Sequence, residues 1–272
     1  MLNNNKKGIA MIITLILVLA GVLTLGILKD KNSKDDNQDN YSANIEETKT
    51  AETEETAETE ETAESEDVKE NPQTETEEDV SAFYKKLKNK EAVKVLILGD
   101  GLALSQGSTS NNGVWDSGVS NLIKNTYGNA VEMVSLAQAR ATISVGLSVV
   151  NQIKIEDYDL IITCFGHNDN TAAVNINDFE KTYSEMITQI KEKSPKATIL
   201  PILPSTLALD NNYRKKIQEV ATENSLTCVD TKTAFVNSGL TDAKLLNGTL
   251  PNDTGYQLYT QTVGETIKTA MK

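Results

Sequence analysis

Five short, predominantly apolar runs in the second part of this 272-residue chain constrain its fold more than any other feature. They are Val93 to Leu98, Val131 to Leu136, Leu160 to Phe165, Thr198 to Leu203 and Leu226 to Val229. Runs of this length suit strands buried on both faces of a parallel sheet. Between them lie segments with helical periodicity. Asp116 to Tyr127 places Val119, Leu122 and Ile123 at i, i+3, i+4 spacing, and Ile143 to Ile153 is a second candidate. Asp178 to Lys193 carries Tyr183, Met186, Ile187 and Ile190 on one face, with Asp178 or Asn177 as its expected N-cap. Asn211 to Asn224 and Thr254 to Met271 complete the set. Such alternation defines a three-layer α/β domain over residues 82–272, with right-handed crossovers placing helices on both faces of a five-stranded parallel sheet. Ligands of open sheets sit at the carboxyl ends of the strands.

The preceding residues are of a different kind. Lys6 and Lys7 lead into an uncharged, mostly apolar run over residues 8–28. As a helix this run would be about 31 Å long, enough to cross a bilayer. A cleaved signal peptide is the competing reading, but Gly26-Ile27-Leu28-Lys29-Asp30 lacks a good small-x-small site. No cysteine follows the run to carry a lipid. The two lysines favour a cytoplasmic tail over residues 1–7. The expectation is a single-pass cell-membrane protein whose C-terminal domain is extracellular.

Residues 29–81 read as a disordered linker. From Ile45 to Asp79 there are 16 acidic residues and 2 lysines, and Thr50-Ala51-Glu52-Thr53-Glu54-Glu55 recurs as Thr56 to Glu61. With no aromatic residues and almost no large aliphatics this stretch cannot bury a core, and its like charges extend it. The net charge of −13 therefore belongs to the linker, since residues 80–272 carry 19 acidic and 19 basic side chains. No basic face for nucleic acid is visible. Cys164 and Cys228 lie in apolar contexts and are expected to be free, buried thiols.

Three segments fall where such a sheet carries its chemistry: Gly99-Asp100-Gly101 after the first strand, Gly166-His167-Asn168-Asp169 after the third, and Pro251-Asn252-Asp253-Thr254-Gly255-Tyr256 before the last helix. They resemble the first, third and last landmark blocks of the SGNH (GDSL-type) hydrolases, and the third block, Gly166-His167-Asn168-Asp169, resembles that of polysaccharide O-acetyl esterases. The resemblance covers residues 93–272 and implies a flavodoxin-like strand order of 2-1-3-4-5. It also implies a Ser nucleophile, an Asp and a His at three positions that here read Gly101, Asn247 and Leu250. The sole histidine, His167, lies in another block. Asn168 matches the side-chain oxyanion donor, and Arg140 stands where the family's second block has a glycine.

Acyl transfer needs a nucleophile, a base, an orienting acid and oxyanion donors. Gly101, Asn247 and Leu250 supply none of the first three. No GxSxG elbow, metal-ligand cluster or glycine-rich nucleotide loop substitutes for them, so no cofactor or metal is expected. The expected function is that of a pseudoenzyme binding, or assisting modification of, a cell-envelope glycan through Asp100, Gly101, Arg140 and Asn168. Gly101 is expected to open a helix, and the missing side chains to leave an enlarged cavity beside Leu250. With Arg140 turned inward, that cavity would take an anionic or acylated sugar. Two alternatives are an active esterase or O-deacetylase built on Ser105, His167 and Asn168, and a structural envelope protein without a small ligand.

Overall fold

The computed structural model describes residues 81–110, 114–155 and 157–272. The expected membrane span and nearly all of the acidic linker lie outside the described residues. Among the described residues no helix is long and apolar enough to cross a membrane.

The chain enters through helix α1 (Ala82–Asn89), then alternates: β1 (Val93–Gly99), α2 (Trp115–Tyr127), β2 (Val131–Ser135), α3 (Ile143–Gln152), β3 (Leu160–Cys164). A short α4 (His167–Thr171) precedes α5 (Ile176–Lys193), β4 (Thr198–Leu203), α6 (Asn212–Glu223), β5 (Val229–Asp230) and α7 (Thr231–Asn237). Helix α8 (Asp242–Leu245), a small hairpin of β6 (Leu246–Asn247) and β7 (Leu250–Pro251), and the long α9 (Asp253–Ala270) complete the domain. The five main strands form one parallel sheet in the order β2-β1-β3-β4-β5, as the resemblance implies.

Strand alternation divides the core in two. Val93, Val95 and Ile97 of β1 face α1, α2 and α9 and pack with Phe83, Leu87, Val119, Ile123, Tyr259 and Val263. Leu96 and Leu98 face the other layer, with Ile143, Phe179, Tyr183, Met186, Ile187 and Ile217. Side chains alternate along a strand, so a continuous apolar run feeds both layers.

Several boundaries differ from expectation. The N-cap of α5 is Asn175, not Asp178 or Asn177, because the Asn175 carboxamide oxygen accepts the N–H of Asn177 at 2.9 Å. The fifth apolar run is mostly not strand. Leu226 N–H donates to Ala221 O at 2.8 Å and stays in the turn that ends α6. Strand β5 starts only at Val229, and Asp230 at once caps α7 and pairs with buried Arg214. Both cysteines are free, but Cys228 precedes β5 and is only half-buried, whereas Cys164 is fully buried on β3.

Candidate functional site at the carboxyl edge of the sheet

Strand β1 delivers Asp100 into the interior, where it is fully buried. One carboxylate oxygen accepts Leu102 N–H at 2.9 Å and the other accepts Asn168 N–H at 3.2 Å. Asp100 N–H donates to Cys164 O at 3.0 Å, so the first and third blocks are joined twice. Burial pushes the Asp100 carboxyl up to about 7, against the two N–H donors that pull it down. Asp169 fixes the third block from the other side. Its oxygens accept Ile143 N–H at 2.8 Å and Gly166 N–H at 3.1 Å, so it caps α3 from across the chain while Thr142 makes no side-chain cap. The second block joins through Gln138 N–H, which donates to Gly99 O at 3.0 Å.

The first block is equally tied to the last. Gly101 does not open a helix, as expected of it, because residues 101–107 form successive turns in which Gln106 N–H returns to Gly101 O at 2.9 Å. Tyr256 OH donates to Gln106 O at 2.7 Å, and the Asn247 carboxamide nitrogen donates to Gly107 O at 3.1 Å. Asp253, the first residue of α9, gathers the following segment. Its carboxylate accepts from Ser108 Oγ at 2.6 Å, Thr109 N–H at 2.8 Å and Ser110 Oγ at 2.7 Å. These donors hold its pKa below the ordinary carboxylate range. Asn252 caps α9 by accepting Gly255 N–H at 3.0 Å. All four blocks thus meet at one end of the sheet.

Gly101, Asn247 and Leu250, which the resemblance aligns with nucleophile, acid and base, lie on these loops. Gly101 is buried and covered by a neighbour, contrary to the expected enlarged cavity, whereas Asn247 is exposed and Leu250 half-buried. A Cβ built on Gly101 would lie 2.9 Å from Gln106 Cδ and closer still to its amide oxygen, so Gln106 fills the space a residue-101 side chain would need. A Cβ on Gly107, whose φ is +100°, would lie 2.8 Å from Leu250 Cβ, so this turn packs directly on Leu250. One surface depression, of about 270 Å³ between α2 and α9, is lined by Leu122, Tyr127, Gln261 and Lys268. It lies toward the amino end of the sheet, away from these blocks.

The remaining site residues have separate fates. The Asn168 side-chain nitrogen is buried and has no hydrogen-bond partner among the described residues. An unpaired buried donor of this kind costs about 1–3 kcal/mol. Arg140 is exposed and makes no ion pair or side-chain hydrogen bond among the described residues, so it is a solvent-facing arginine and the inward rotamer that an anionic ligand would require is not seen. Its φ of +61° is the left-handed conformation that glycine adopts freely. Ser105 is buried, and its hydroxyl oxygen accepts Trp115 N–H at 3.2 Å, which makes it part of the α2 start. His167 is half-buried at the start of α4, and burial lowers its pKa, keeping the ring neutral near pH 7. No side-chain bond brings Ser105, His167 and Asn168 together. Asp169, Gln106 and Asp253 are the structural partners that sequence reading left without roles. Asp253 directly follows the Asn252 cap, which is a usable signal, whereas Gln106 sits in no motif.

A three-layer α/β/α sheet in this order, with its landmark loops at the carboxyl edge, defines a domain of the SGNH-hydrolase class. Residues 97–258 match the GDSL-like lipase/acylhydrolase family, and the chain belongs to it. No curated protein sequence matches the chain. Its fold is similar to a two-domain esterase (CEX) active on acetylated mannans, with TM-score 0.60 and 16% identity over 71% of this chain and 54% of that one. The chain thus spans about half the length of that esterase. It is also similar to the acetylxylan esterase Axe2 of Geobacillus stearothermophilus, with TM-score 0.56 and 16% identity over 66% of this chain and 96% of that one. A third similar structure is the lipase Lip_vut3 from a goat rumen metagenome, with TM-score 0.53 and 16% identity over 64% and 97% of the two chains.

Proposed function

We propose that this chain is a membrane-anchored, surface-displayed family member that has given up ester hydrolysis and binds an acylated cell-envelope glycan. The observation that carries this reading is a contrast within one site. Asn168 keeps a buried, unpartnered amide donor, while the positions of nucleophile, acid and base hold Gly101, Asn247 and Leu250. A site with a donor for a carbonyl but no proton chemistry holds an acyl group without cleaving it; removing a triad leaves only residual catalysis. The two esterases of similar fold act on acetylated mannan and acetylated xylan chains, which supports a sugar-borne acetyl group as the ligand class. The apolar run over residues 8–28 supports the anchor, and the acidic linker would hold the domain away from the bilayer.

The test is turnover by the purified full chain on p-nitrophenyl acetate and acetylated xylan. The wild type is expected to match buffer. The combined variant Gly101→Ser, Asn247→Asp, Leu250→His, made with Gln106→Ala to clear the space, is expected to gain hydrolysis. Wild-type turnover that vanishes in His167→Ala would overturn the reading.

A further inference from the structure

Gln106 is the one side chain at this edge that the roles above leave unused, and its position is specific. We propose that Gln106 is a built-in plug of the vacated reaction centre, and that withdrawal of its side chain admits the acetyl carbonyl of a sugar. The second half of this proposal rests on the glycan-binding function given above; the first does not.

The backbone around Gln106 is held on both sides. Its N–H donates to Gly101 O, its C=O accepts Tyr256 OH, and the next carbonyl accepts the Asn247 carboxamide. Asp253 then clamps Ser108, Thr109 and Ser110. This frame delivers the Gln106 carboxamide onto Gly101, where a Cβ would lie 2.9 Å from Cδ and 3.6 Å from Cγ. A seryl side chain at residue 101 and the present Gln106 rotamer cannot coexist.

The frame is fixed but the plug is not. Gln106 is exposed, and its carboxamide makes no hydrogen bond among the described residues. Position alone holds it, so rotation about its side-chain bonds breaks no polar contact. The plug also leaves work undone at this edge of the sheet, since the side-chain nitrogen of Asn168, whose backbone N–H is held by Asp100, is buried and stays unpaired. An entering carbonyl would satisfy that donor where Gln106 does not. The favoured occupant is therefore a planar carbonyl of the size of the Gln106 carboxamide. An O-acetyl ester and an N-acetyl group on a sugar both present one.

The experiment uses the full chain, with Trp115 as reporter. This sole tryptophan donates its backbone N–H to Ser105 Oγ and its indole N–H to Leu102 O, so its emission reads the turn that carries the plug. Without any ligand, Gly101→Ser is expected to shift the emission by turning the Gln106 side chain outward and to lower Tm by at most about 2 °C, because the obstruction is the free end of an exposed side chain. In the Gln106→Ala background the same substitution should do neither. Strictly additive effects would overturn the plug, because residues in contact couple. With ligand, the probes are acetylated xylotetraose and chitotetraose. Gln106→Ala is expected to bind one of them about tenfold more tightly than wild type, because a closed site taxes affinity by its open fraction. Adding Asn168→Ala should erase that gain. Preference for the xylotetraose assigns an ester carbonyl, and preference for chitotetraose assigns an acetamide. Equal affinity of wild type and Gln106→Ala overturns the gate. Coupling between residues 101 and 106 without binding of either sugar by any variant keeps Gln106 as the occupant and sinks both the admission step and the glycan function.

Discussion

Two buried carboxylates, one directly after β1 and one after β3, shape the backbone of the third block. Asp169 and Asp100 between them accept Ile143, Gly166, Leu102 and Asn168 N–H groups. In the turn after Gly101 and in the β6–β7 hairpin, neutral side chains fill the space and supply one bond, and a carboxylate, Asp253, clamps only the residues that follow. Gln106 fills the space over Gly101, Asn247 holds Gly107, and Leu250 packs beneath that turn. The contrast teaches that the loop paths at this edge and the packing around Gly101 are set by different groups. Charged acceptors for backbone N–H groups set the loop paths.

The largest effect that would sharpen this contrast is a pH dependence confined to the carboxylate side. Burial pushes Asp100 up to about 7, so the folded chain holds a proton that the unfolded chain releases near an ordinary aspartate pKa of about 4. The native state therefore binds more protons in that window. The contribution of Asp100 is fully present below about pH 4 and is lost as pH rises to about 7, by at most roughly 1.4 kcal/mol per pH unit, whereas the depressed Asp253 and Asp230 act only below that window. Urea midpoints across this range should decline for the wild type. Asp100→Asn should flatten most of the slope, leaving the weaker share of Asp169, which burial also raises. An unchanged slope in Asp100→Asn would remove Asp100 as its source.

Next in size is Asp169→Ala. It strips the acceptor from two backbone N–H groups at once and leaves the start of α3 without a cap. The expected loss is about 3 kcal/mol, or roughly 6–12 °C in Tm for a domain of this length. The same measurement on Asn247→Ala, which breaks one exposed bond to Gly107, should show a far smaller loss. Equal losses would erase the distinction between the two sides of the site.

The two sides also differed in how plainly the sequence displays them. Runs apolar on both faces marked β1, β3 and β4 to within a residue, because a sheet covered on both sides leaves no room for polar alternation. The blocks were legible because strand ends place them. Leu226 to Cys228 misled because it is apolar for a different reason, packing onto the core beside α6 while the chain is still turning. The plug was not legible at all. Gln106 sits in no motif, and it reaches Gly101 only because Tyr256, Asn247 and Asp253, some 140 to 150 residues away, shape its turn. Arg140 was read by its charge, but its informative property is a backbone angle that no side-chain pattern reveals.

That angle supports the smallest effect, and one of opposite sign. Arg140 holds φ at +61°, where a Cβ crowds the following carbonyl and costs about 1–2 kcal/mol. Arg140→Gly relieves that crowding but frees the unfolded chain, a penalty of up to about 1 kcal/mol. Because the side chain is exposed and unpaired, little else is lost. The net expectation is a gain of a few tenths to about 1 kcal/mol, seen as a small rise in urea midpoint with unchanged m-value. Arg140→Ala keeps the Cβ and should give no such rise. If Arg140→Gly is instead destabilising by more than its entropy penalty, the guanidinium makes a contact that matters. The second block would then belong with the third, as a part of the site held by charge.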